Sequence, residues 1–239
     1  MNDIERLKEA IKKSKKIVIF SGAGLSTNSG IPDFRSASGI YNQKLKSKFT
    51  PEEIISHSFF LEHTDDFYSF YFDKMVYKDA KPNSAHLYFA ELEKSKDVTV
   101  VTQNIDGLHQ MAGSKNVIEL HGSIMRNYCM KCHKFYSLDE LDTNEVPRCS
   151  CGGIIKSDVV LYEESLNEDA INDAVYAISE ADLLIVVGTS LVVYPAAGFI
   201  RYFRGDNLVL LNKSETAYDN YASIVIHDDV CNVVKELEK

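Results

Sequence analysis

The sequence predicts an α/β fold with a mostly parallel sheet, helices on both faces of that sheet, and a small zinc ribbon. Short β-branched runs alternate with segments of helical periodicity along the chain, which favours a parallel sheet covered on both sides. A Gly-x-Gly turn, Gly22–Gly24, directly follows the first of these runs, as it does in phosphate-binding loops. Four of the five cysteines fall in two close pairs, which is typical of zinc ribbons.

The individual elements follow from periodicity. Ile4, Leu7, Ala10 and Ile11 recur at helical spacing and predict an opening helix that ends near Ser14. The predicted strands are 16–20, 98–102, 117–120, 181–187, 207–211 and 223–227, and the predicted helices are 59–77, 84–94, 168–179 and 195–203. Thr50 and Pro51 are typical of the N-cap and first residue of a further helix. The polar stretch 36–48 lacks periodicity and is predicted to be a mobile loop that closes over a ligand.

Length and composition limit the class of protein. A chain of 239 residues buries a sizeable core, as one domain with an insertion or as two small domains. A net charge of −9 without a basic stripe argues against nucleic acid as the main ligand. The apolar runs are too short to span a bilayer and the first residues lack a signal-peptide core. We therefore expect a cytoplasmic protein that binds neither nucleic acid nor a membrane. The sequence leaves the oligomeric state open, and we favour a monomer.

The stretch Val18–Arg35 carries the first chemical signal. Gly22 and Gly24 have no Cβ, so their backbone can approach a ligand closely, and a helix starting after them would point free N–H groups at a pyrophosphate. The third glycine of the dinucleotide fingerprint is replaced by Thr27, and a plain turn is the alternative interpretation. The following stretch, Gly30–Arg35, combines a proline turn, a carboxylate, an aromatic ring and a guanidinium, which a structural loop has little use for.

Two further polar motifs follow predicted strands. Gln103, Asn104 and Asp106 offer amide and carboxylate groups suited to a carboxamide and a ribose diol. A turn that caps a helix is the alternative for this motif. His121 follows the next strand and could act there as a general base near neutral pH, although a lone histidine is more often structural.

The cysteine pairs predict one structural zinc ion. Four thiolates satisfy tetrahedral zinc and leave no open position for chemistry. The second pair has Cys-x-Cys spacing where Cys-x-x-Cys is commoner, and His133 is an alternative to Cys151 as a ligand. Cys231 stands apart and is expected in the core. The predicted ligands are Cys129, Cys132, Cys149 and Cys151.

The motifs continue after the later strands. Gly188-Thr189-Ser190, Asn212-Lys213-Ser214 and Asp228-Asp229-Val230 each follow a predicted strand. In order and spacing, and over nearly the whole chain, the set resembles the signature of the sirtuins, the NAD-dependent protein deacylases, and in particular the bacterial NAD-dependent protein deacetylases. The resemblance implies a Rossmann-type NAD-binding domain and a small domain made of a helical segment and the zinc ribbon. The implied bounds are 1–35, 79–125 and 158–239 for the large domain, 36–78 for the helical part with its cofactor-binding loop, and 126–157 for the ribbon.

The resemblance also implies roles for individual residues. Asn104 and His121 would be catalytic, and the substrate peptide would add as a strand along Val159, Val160, Leu161 and Tyr162. The implied reaction lets the acyl-lysine carbonyl displace nicotinamide from NAD, after which His121 deprotonates a ribose hydroxyl and water releases lysine and O-acyl-ADP-ribose. The residues implied to bind NAD are Gly22, Ala23, Gly24, Thr27, Asp33, Phe34, Arg35, Gln103, Asn104, Ile105, Asp106, His121, Gly188, Thr189, Ser190, Asn212, Lys213 and Val230.

The chain departs from the family pattern in two places. Ser157 and Glu163 stand where family members usually have proline and glycine beside the substrate strand, which bears on peptide affinity or sequence preference. Sirtuins that remove succinyl or malonyl groups carry Tyr-x-x-Arg where this chain reads Tyr68-Ser69-Phe70-Tyr71, so acetyl or a longer apolar acyl group is expected. Two alternatives remain open. One is mono-ADP-ribosyltransfer from the same site, and the other is a non-catalytic NAD-sensing module, against which the intact Asn104 and His121 count.

Overall fold

The computed structural model describes residues 2–43 and 47–239. Within these residues the chain forms a six-stranded parallel sheet and a separate three-stranded antiparallel sheet. The strands are β1 (Lys16–Ser21), β2 (Asp97–Thr102), β3 (Val117–Glu119), β4 (Arg126–Cys129), β5 (Phe135–Ser137), β6 (Ile155–Ser157), β7 (Leu183–Val187), β8 (Asn207–Leu211) and β9 (Ile224–Ile226). The α-helices are α1 (Asp3–Lys13), α2 (Pro51–Ile54), α3 (His57–Glu62), α4 (Thr64–Lys74), α5 (Ser84–Leu92), α6 (Leu108–Ala112), α7 (Glu168–Glu180) and α8 (Val230–Leu237).

The large sheet has the strand order β3-β2-β1-β7-β8-β9. Counted along the chain, its strands therefore lie in the doubly wound order 3-2-1-4-5-6. The order reverses between β1 and β7, and in such sheets ligands bind beyond the carboxyl ends of the strands at that point. The predicted fold class is confirmed, and the sheet places the polar motifs that follow β1, β2 and β7 beside one another.

Both faces of the large sheet are buried. Along β1, Ile17 and Ile19 pack into a core shared with α1, α5 and α8, whereas Val18 and Phe20 pack into a core shared with α7. Successive side chains of a strand point to opposite faces, so one β-branched run serves both cores. The central strands are for this reason rigid supports for the loops that follow them.

A third core joins α2, α3 and α4 to the antiparallel sheet. Phe60, Phe67 and Tyr71 from the helices pack with Leu138 and Ile155 from the ribbon. Thr50 caps α2, as predicted, and Pro51 is its first residue. The helical segment and the ribbon are therefore packed as one apolar unit beside the large sheet.

Three predicted helices differ in the structure. The segment predicted as one helix over 59–77 is divided into α3 and α4 at His63, where φ is −132° and ψ is 50°. Acidic Asp65 and Asp66 in the first turn of α4 favour a new N-terminus there. The predicted helix at 195–203 is a 3₁₀ helix, Ala196–Tyr202, which contains Gly198. The helix expected after the glycine turn is also 3₁₀, Ala23–Ser29, and ends at Gly30 with φ of 85°.

The predicted mobile loop, 36–48, is partly outside the described residues. Residues 44–46 of that prediction fall there. The described part contains a 3₁₀ turn, Ile40–Asn42, and the Ile40 and Tyr41 amides donate to the carbonyls of Asp33 and Phe34 at 2.8 and 2.9 Å. This part of the loop therefore folds back onto the end of the glycine-rich motif. In the described ranges, no helix combines the length and the apolarity needed to cross a bilayer.

Candidate active site

The glycine-rich loop after β1 packs directly against the loop after β7. The Gly24 amide donates to the Gly188 carbonyl at 2.7 Å. A Cβ on Gly22 would lie 2.6 Å from the Thr189 Cβ, and one on Gly24 would lie 2.8 Å from the Gly188 oxygen. Since real Cβ atoms do not approach so closely, only glycine lets these two loops meet at the switch point of the sheet. Of the other predicted loop residues, Ala23 is half-buried, Ser190 is exposed, and the Thr27 hydroxyl donates to the Gly24 carbonyl at 3.0 Å.

The buried Asn104 amide joins the loops after β1 and β2. Its Nδ2 donates to the Gly22 carbonyl and to Ser26 Oγ, both at 3.1 Å. Ser26 Oγ in turn donates to Asp106 Oδ2 at 2.6 Å. Burial raises the pKa of Asp106, and the Ser26 hydroxyl opposes that rise. The predicted pair Asn104 and Asp106 is thus brought together through Ser26, a residue that sequence reasoning missed.

A buried hydroxyl relay fixes the backbone at Asn104. The backbone amide of Asn104 donates to Thr102 Oγ1 at 3.0 Å, and Ser21 Oγ donates to the same atom at 2.9 Å. Ser21 Oγ also lies 2.9 Å from His109 Nε2. Burial lowers the pKa of His109 to about 3, so this ring is neutral at physiological pH. His109 therefore supports the motif from inside the protein.

Three predicted residues from three strand ends form one hydrogen-bonded group. Gln103 Nε2 donates to Thr189 Oγ1 at 3.1 Å. The Thr189 amide donates to Asn212 Oδ1, and Asn212 Nδ2 donates to the Thr189 carbonyl, each at 3.0 Å. The ends of β2, β7 and β8 are therefore joined by side chains that the sequence assigned to one site.

The residues that follow β8 and β9 form a charged group. Lys213 Nζ lies 2.9 Å from Asp229 Oδ2, and Asn28 Nδ2 donates to both oxygens of that carboxylate at 2.7 and 2.8 Å. The Asp229 hydrogen bond is the main cause of the raised pKa of Lys213, with a smaller contribution from the charge of Asp33. Val230, which opens α8 beside this group, is buried.

The residues Phe34 and Arg35 both contact Tyr41 at the end of the glycine-rich motif. The Phe34 ring packs edge-on against Tyr41 with centroids 5.4 Å apart, and the Arg35 guanidinium lies 5.2 Å from the centre of the same tyrosine ring. Phe34 and Ile105 also pack against the third core. Tyr41, which sequence reasoning did not single out, is therefore the residue that organises the end of this motif.

His121 is held in the tautomer that a general base needs. Its Nδ1 lies 2.9 Å from the Gln103 carbonyl oxygen, which can only accept, so Nδ1 carries the proton of the neutral ring. The Nε2 atom then has a free lone pair. Burial lowers the pKa of His121 below its ordinary value of 6.5, opposed in part by the Gln103 carbonyl. At neutral pH the ring is therefore available to accept a proton.

Arg126 joins Glu119, at the end of β3, to Asp158, which directly precedes the predicted substrate segment. Arg126 contacts Glu119 Oε2 at 2.6 Å and Asp158 Oδ2 at 2.7 Å. Glu119 is almost completely buried, and a buried carboxylate needs such a partner. That requirement is the one signal by which Arg126 could have been sought from the sequence, since Glu119 lies within the predicted strand 117–120.

The segment Val159–Tyr162 lies against His121. The Val160 amide donates to the His121 carbonyl at 2.9 Å, and Gly122 has φ of 71°, with no room for a Cβ beside the Asp158 carbonyl. Val159 and Leu161 are buried, whereas Val160 is half-buried and Tyr162 is exposed. The side chains therefore alternate as in an extended strand, although the segment is not part of either sheet.

The four predicted cysteines fit a zinc ion. Their sulfur atoms all lie within 4.8 Å of one another, with Cys129 and Cys151 at 3.4 Å and Cys132 and Cys149 at 3.6 Å. Zinc–sulfur bonds of about 2.3 Å in a tetrahedron place the sulfurs about 3.8 Å apart. Among the described residues, this metal-binding group consists of the cysteines alone, without His133. The Tyr136 hydroxyl donates to Cys149 Sγ at 3.1 Å, which supports a thiolate there.

Comparison with known proteins agrees with this geometry. The Sir2 family model matches residues 22–195. The chain is 59% identical over 237 residues to an NAD-dependent protein deacetylase of Clostridium perfringens, which covers 97% of this chain and 96% of the relative. A solved Sir2 complex with a deacetylated p53 peptide and 3′-O-acetyl-ADP-ribose superimposes with a TM-score of 0.89 at 37% identity, covering 98% of this chain and 96% of the other. A complex of Sir2 with p53 peptide and NAD⁺ gives a TM-score of 0.84 at 38% identity, covering 99% and 97%.

The matched region contains the glycine-rich loop, the Asn104 motif, His121 and all four zinc-site cysteines. Both the family model and a relative of more than half identity over nearly the full chain agree with the resemblance seen in the sequence. The chain belongs to the Sir2 family, the sirtuins.

Proposed function

We propose that this chain is an NAD-dependent protein lysine deacetylase in which His121 is the general base and Asn104 the second catalytic residue. The observation that carries the proposal is the pairing of His121 Nδ1 with the Gln103 carbonyl at 2.9 Å, because it leaves Nε2 free as a base. NAD, the co-substrate, supplies the bond to nicotinamide that breaks and the ADP-ribose that receives the acyl group. The names of the relatives and the product-bound Sir2 structure support this activity.

We propose that different groups of the predicted site residues bind different parts of NAD. We assign the ribose and nicotinamide side to Asn104, Ile105 and Asp106, whose positions are fixed by Ser26 and by the relay behind Thr102. We assign the phosphates of NAD to the glycine-rich loop after β1. We assign the adenosine side to residues after β7, β8 and β9, where the carbonyls and amides of Thr189 and Asn212 already orient each other. The remaining members of the proposed NAD site are Ala23, Thr27, Asp33, Phe34, Arg35, Gln103, His121, Gly188, Ser190, Lys213 and Val230.

The acyl-lysine peptide is proposed to bind along Val159–Tyr162. This segment reaches His121 through the Val160 amide, so a lysine side chain entering there lies near the base. Burial raises the pKa of Tyr68 and of Tyr71, so both hydroxyls are neutral, and Tyr71 stands where sirtuins that remove acidic acyl groups carry arginine. A neutral, aromatic surrounding favours acetyl or longer apolar acyl groups over succinyl.

We also propose the domain division 1–35, 79–125 and 158–239 against 36–78 and 126–157. The first two hydrophobic cores cover the large sheet, and the third joins the helical segment to the ribbon. Ile124 and Val159 belong to the third core, so this unit also draws on residues at the edge of the large domain. Four thiols arranged for zinc are typical of a reducing compartment, which supports a cytoplasmic location.

The proposal is tested by following nicotinamide release from NAD, with and without an acetyl-lysine peptide. We expect release that requires the peptide and yields O-acetyl-ADP-ribose. His121→Ala should lower the rate of O-acetyl-ADP-ribose formation, the stage that follows nicotinamide displacement, by about 10²–10⁴-fold, the usual contribution of a general base. His63→Ala, which removes an exposed imidazole on the helical segment, is the matched control and should retain the rate.

Three outcomes would contradict the proposal. The first is a His121→Ala protein as active as the wild type. The second is ADP-ribose attached to protein without loss of an acyl group, which would indicate ADP-ribosyltransfer. The third is NAD binding without turnover for acetyl and longer acyl peptides, which would indicate a non-catalytic module.

A further inference from the structure

The backbone of Tyr162 is fixed at both of its polar groups. Its amide donates to the Ile55 carbonyl at 3.1 Å, and its carbonyl accepts from the His57 amide at 2.9 Å. These bonds form a parallel bridge between Tyr162 and Ser56. The proposed substrate segment is thus attached to the helical part of the small domain at this residue.

The next residue fixes the direction of the chain. Glu163 has φ of 74°, in the left-handed region that few side chains adopt. Its carboxylate accepts from the Ser58 amide at 2.8 Å and from Ser58 Oγ at 3.0 Å, at the first turn of α3. The side chain of Tyr162 consequently projects from a backbone that has little freedom.

That side chain reaches the cofactor side of the cleft. The Tyr162 hydroxyl lies 2.9 Å from the Tyr41 hydroxyl, 121 positions away in the sequence. The Tyr41 amide donates to the Phe34 carbonyl at 2.9 Å, and its ring contacts both the Phe34 ring and the Arg35 guanidinium. One hydroxyl pair therefore joins the peptide segment to the two residues at the end of the glycine-rich motif.

We propose that Tyr162 is a positioning residue for the NAD side of the site. Through Tyr41, its hydroxyl holds Phe34 and Arg35 in place, so a residue on the peptide side sets the affinity for NAD. This inference rests on the proposed function for the identity of the ligand. It assigns Tyr162 an action on cofactor binding, in addition to its place in the peptide segment.

The test uses Tyr162→Phe, Tyr41→Phe and the double variant, each of which removes a hydroxyl and keeps the ring. Tyr128→Phe, at a ribbon tyrosine that is 39% exposed where Tyr162 is 37% exposed, is the matched control. NAD affinity is measured by calorimetry, and KM values for NAD and for an acetyl-lysine peptide are measured by nicotinamide release.

A single hydrogen bond of this kind corresponds to an effect of about two- to tenfold. We expect Tyr162→Phe to weaken NAD binding and raise the KM for NAD by that factor, with a smaller change in the KM for the peptide. Because Tyr41 and Tyr162 share one bond, the double variant should be no weaker than the weaker single variant. Tyr128→Phe should match the wild type.

Any of three results would overturn the inference. One is a Tyr162→Phe protein whose NAD affinity equals that of the Tyr128→Phe control, and another is a pair of losses that add in the double variant. A rise in the peptide KM alone would likewise show that Tyr162 acts only on the peptide. Calorimetry needs no turnover, so a wild-type protein that binds NAD but releases no nicotinamide would count against the proposed function while the coupling is still measured.

Discussion

Replacing Gly122 by alanine should lower the free energy of unfolding by more than backbone strain alone would, because the backbone packs so closely beside His121. Gly122 has φ of 71°, and a left-handed conformation costs a residue with a Cβ about 1–2 kcal/mol. The added Cβ would also overlap the Asp158 carbonyl oxygen and lie 2.7 Å from its carbonyl carbon. Overpacking of this kind costs about 1–3 kcal/mol, so we expect Gly122→Ala to lower the free energy of unfolding by about 2–5 kcal/mol.

Gly30→Ala is the matched control for that variant. Gly30 has φ of 85°, and no described atom lies within 4 Å of the position that its Cβ would take. It should therefore lose only the conformational part, about 1–2 kcal/mol. Both losses are measured by urea denaturation, with circular dichroism as the signal because the chain has no tryptophan to serve as a fluorescent reporter. Equal losses in the two variants would refute the reasoning, because they would show that the Asp158 backbone moves aside freely.

Three further predictions follow from the site and its supports. Because burial lowers the pKa of His121 below 6.5, the midpoint of the acid-side fall in kcat/KM, where the base gains a proton, should lie below pH 6.5; a midpoint at or above pH 6.5 would contradict this. Tyr136→Phe removes the hydroxyl that donates to Cys149 Sγ at 3.1 Å and should weaken zinc binding by about 10–100-fold, measured by competition with a chromogenic chelator, with unchanged affinity as the contrary result. Glu163→Ala should lower the free energy of unfolding by about 1–2 kcal/mol because it loses both hydrogen bonds to Ser58. Glu163→Gly loses the same bonds but should be about 1 kcal/mol more stable than Glu163→Ala, because glycine adopts a φ of 74° without strain. Equal unfolding midpoints for the two variants would be the contrary result.

The strands of the large sheet were predictable because burial on both faces demands continuous apolar runs. The stretch Leu183–Val187 is buried at every position, and its sequence is apolar throughout. The helical segment was harder, since its aromatic residues face one core from two short helices. The break at His63 has no proline or glycine to mark it. Local pattern therefore identified the class of element and missed its interruption.

The chemistry-bearing residues of the cleft could be named from motifs, but their partners could not. Ser26 bonds to Asp106 across 80 positions, and Arg126 bonds to Asp158 across 32. Nothing in the local sequence distinguishes Ser26 from its neighbours Thr27 and Ser29. Such contacts depend on which loops the sheet brings together, and motif spacing does not contain that information.

The two ends of the ribbon meet at one place. The Asp158 amide donates to the Arg126 carbonyl at 2.8 Å, and the Arg126 guanidinium contacts the Asp158 carboxylate at 2.7 Å. The chain between them therefore starts and ends at a single hydrogen-bonded pair of positions. Changes of length in that stretch consequently need not shift His121 or the segment that follows Asp158. The ribbon is in this sense closed at its base, while Leu138 and Ile155 hold its body against the helical segment.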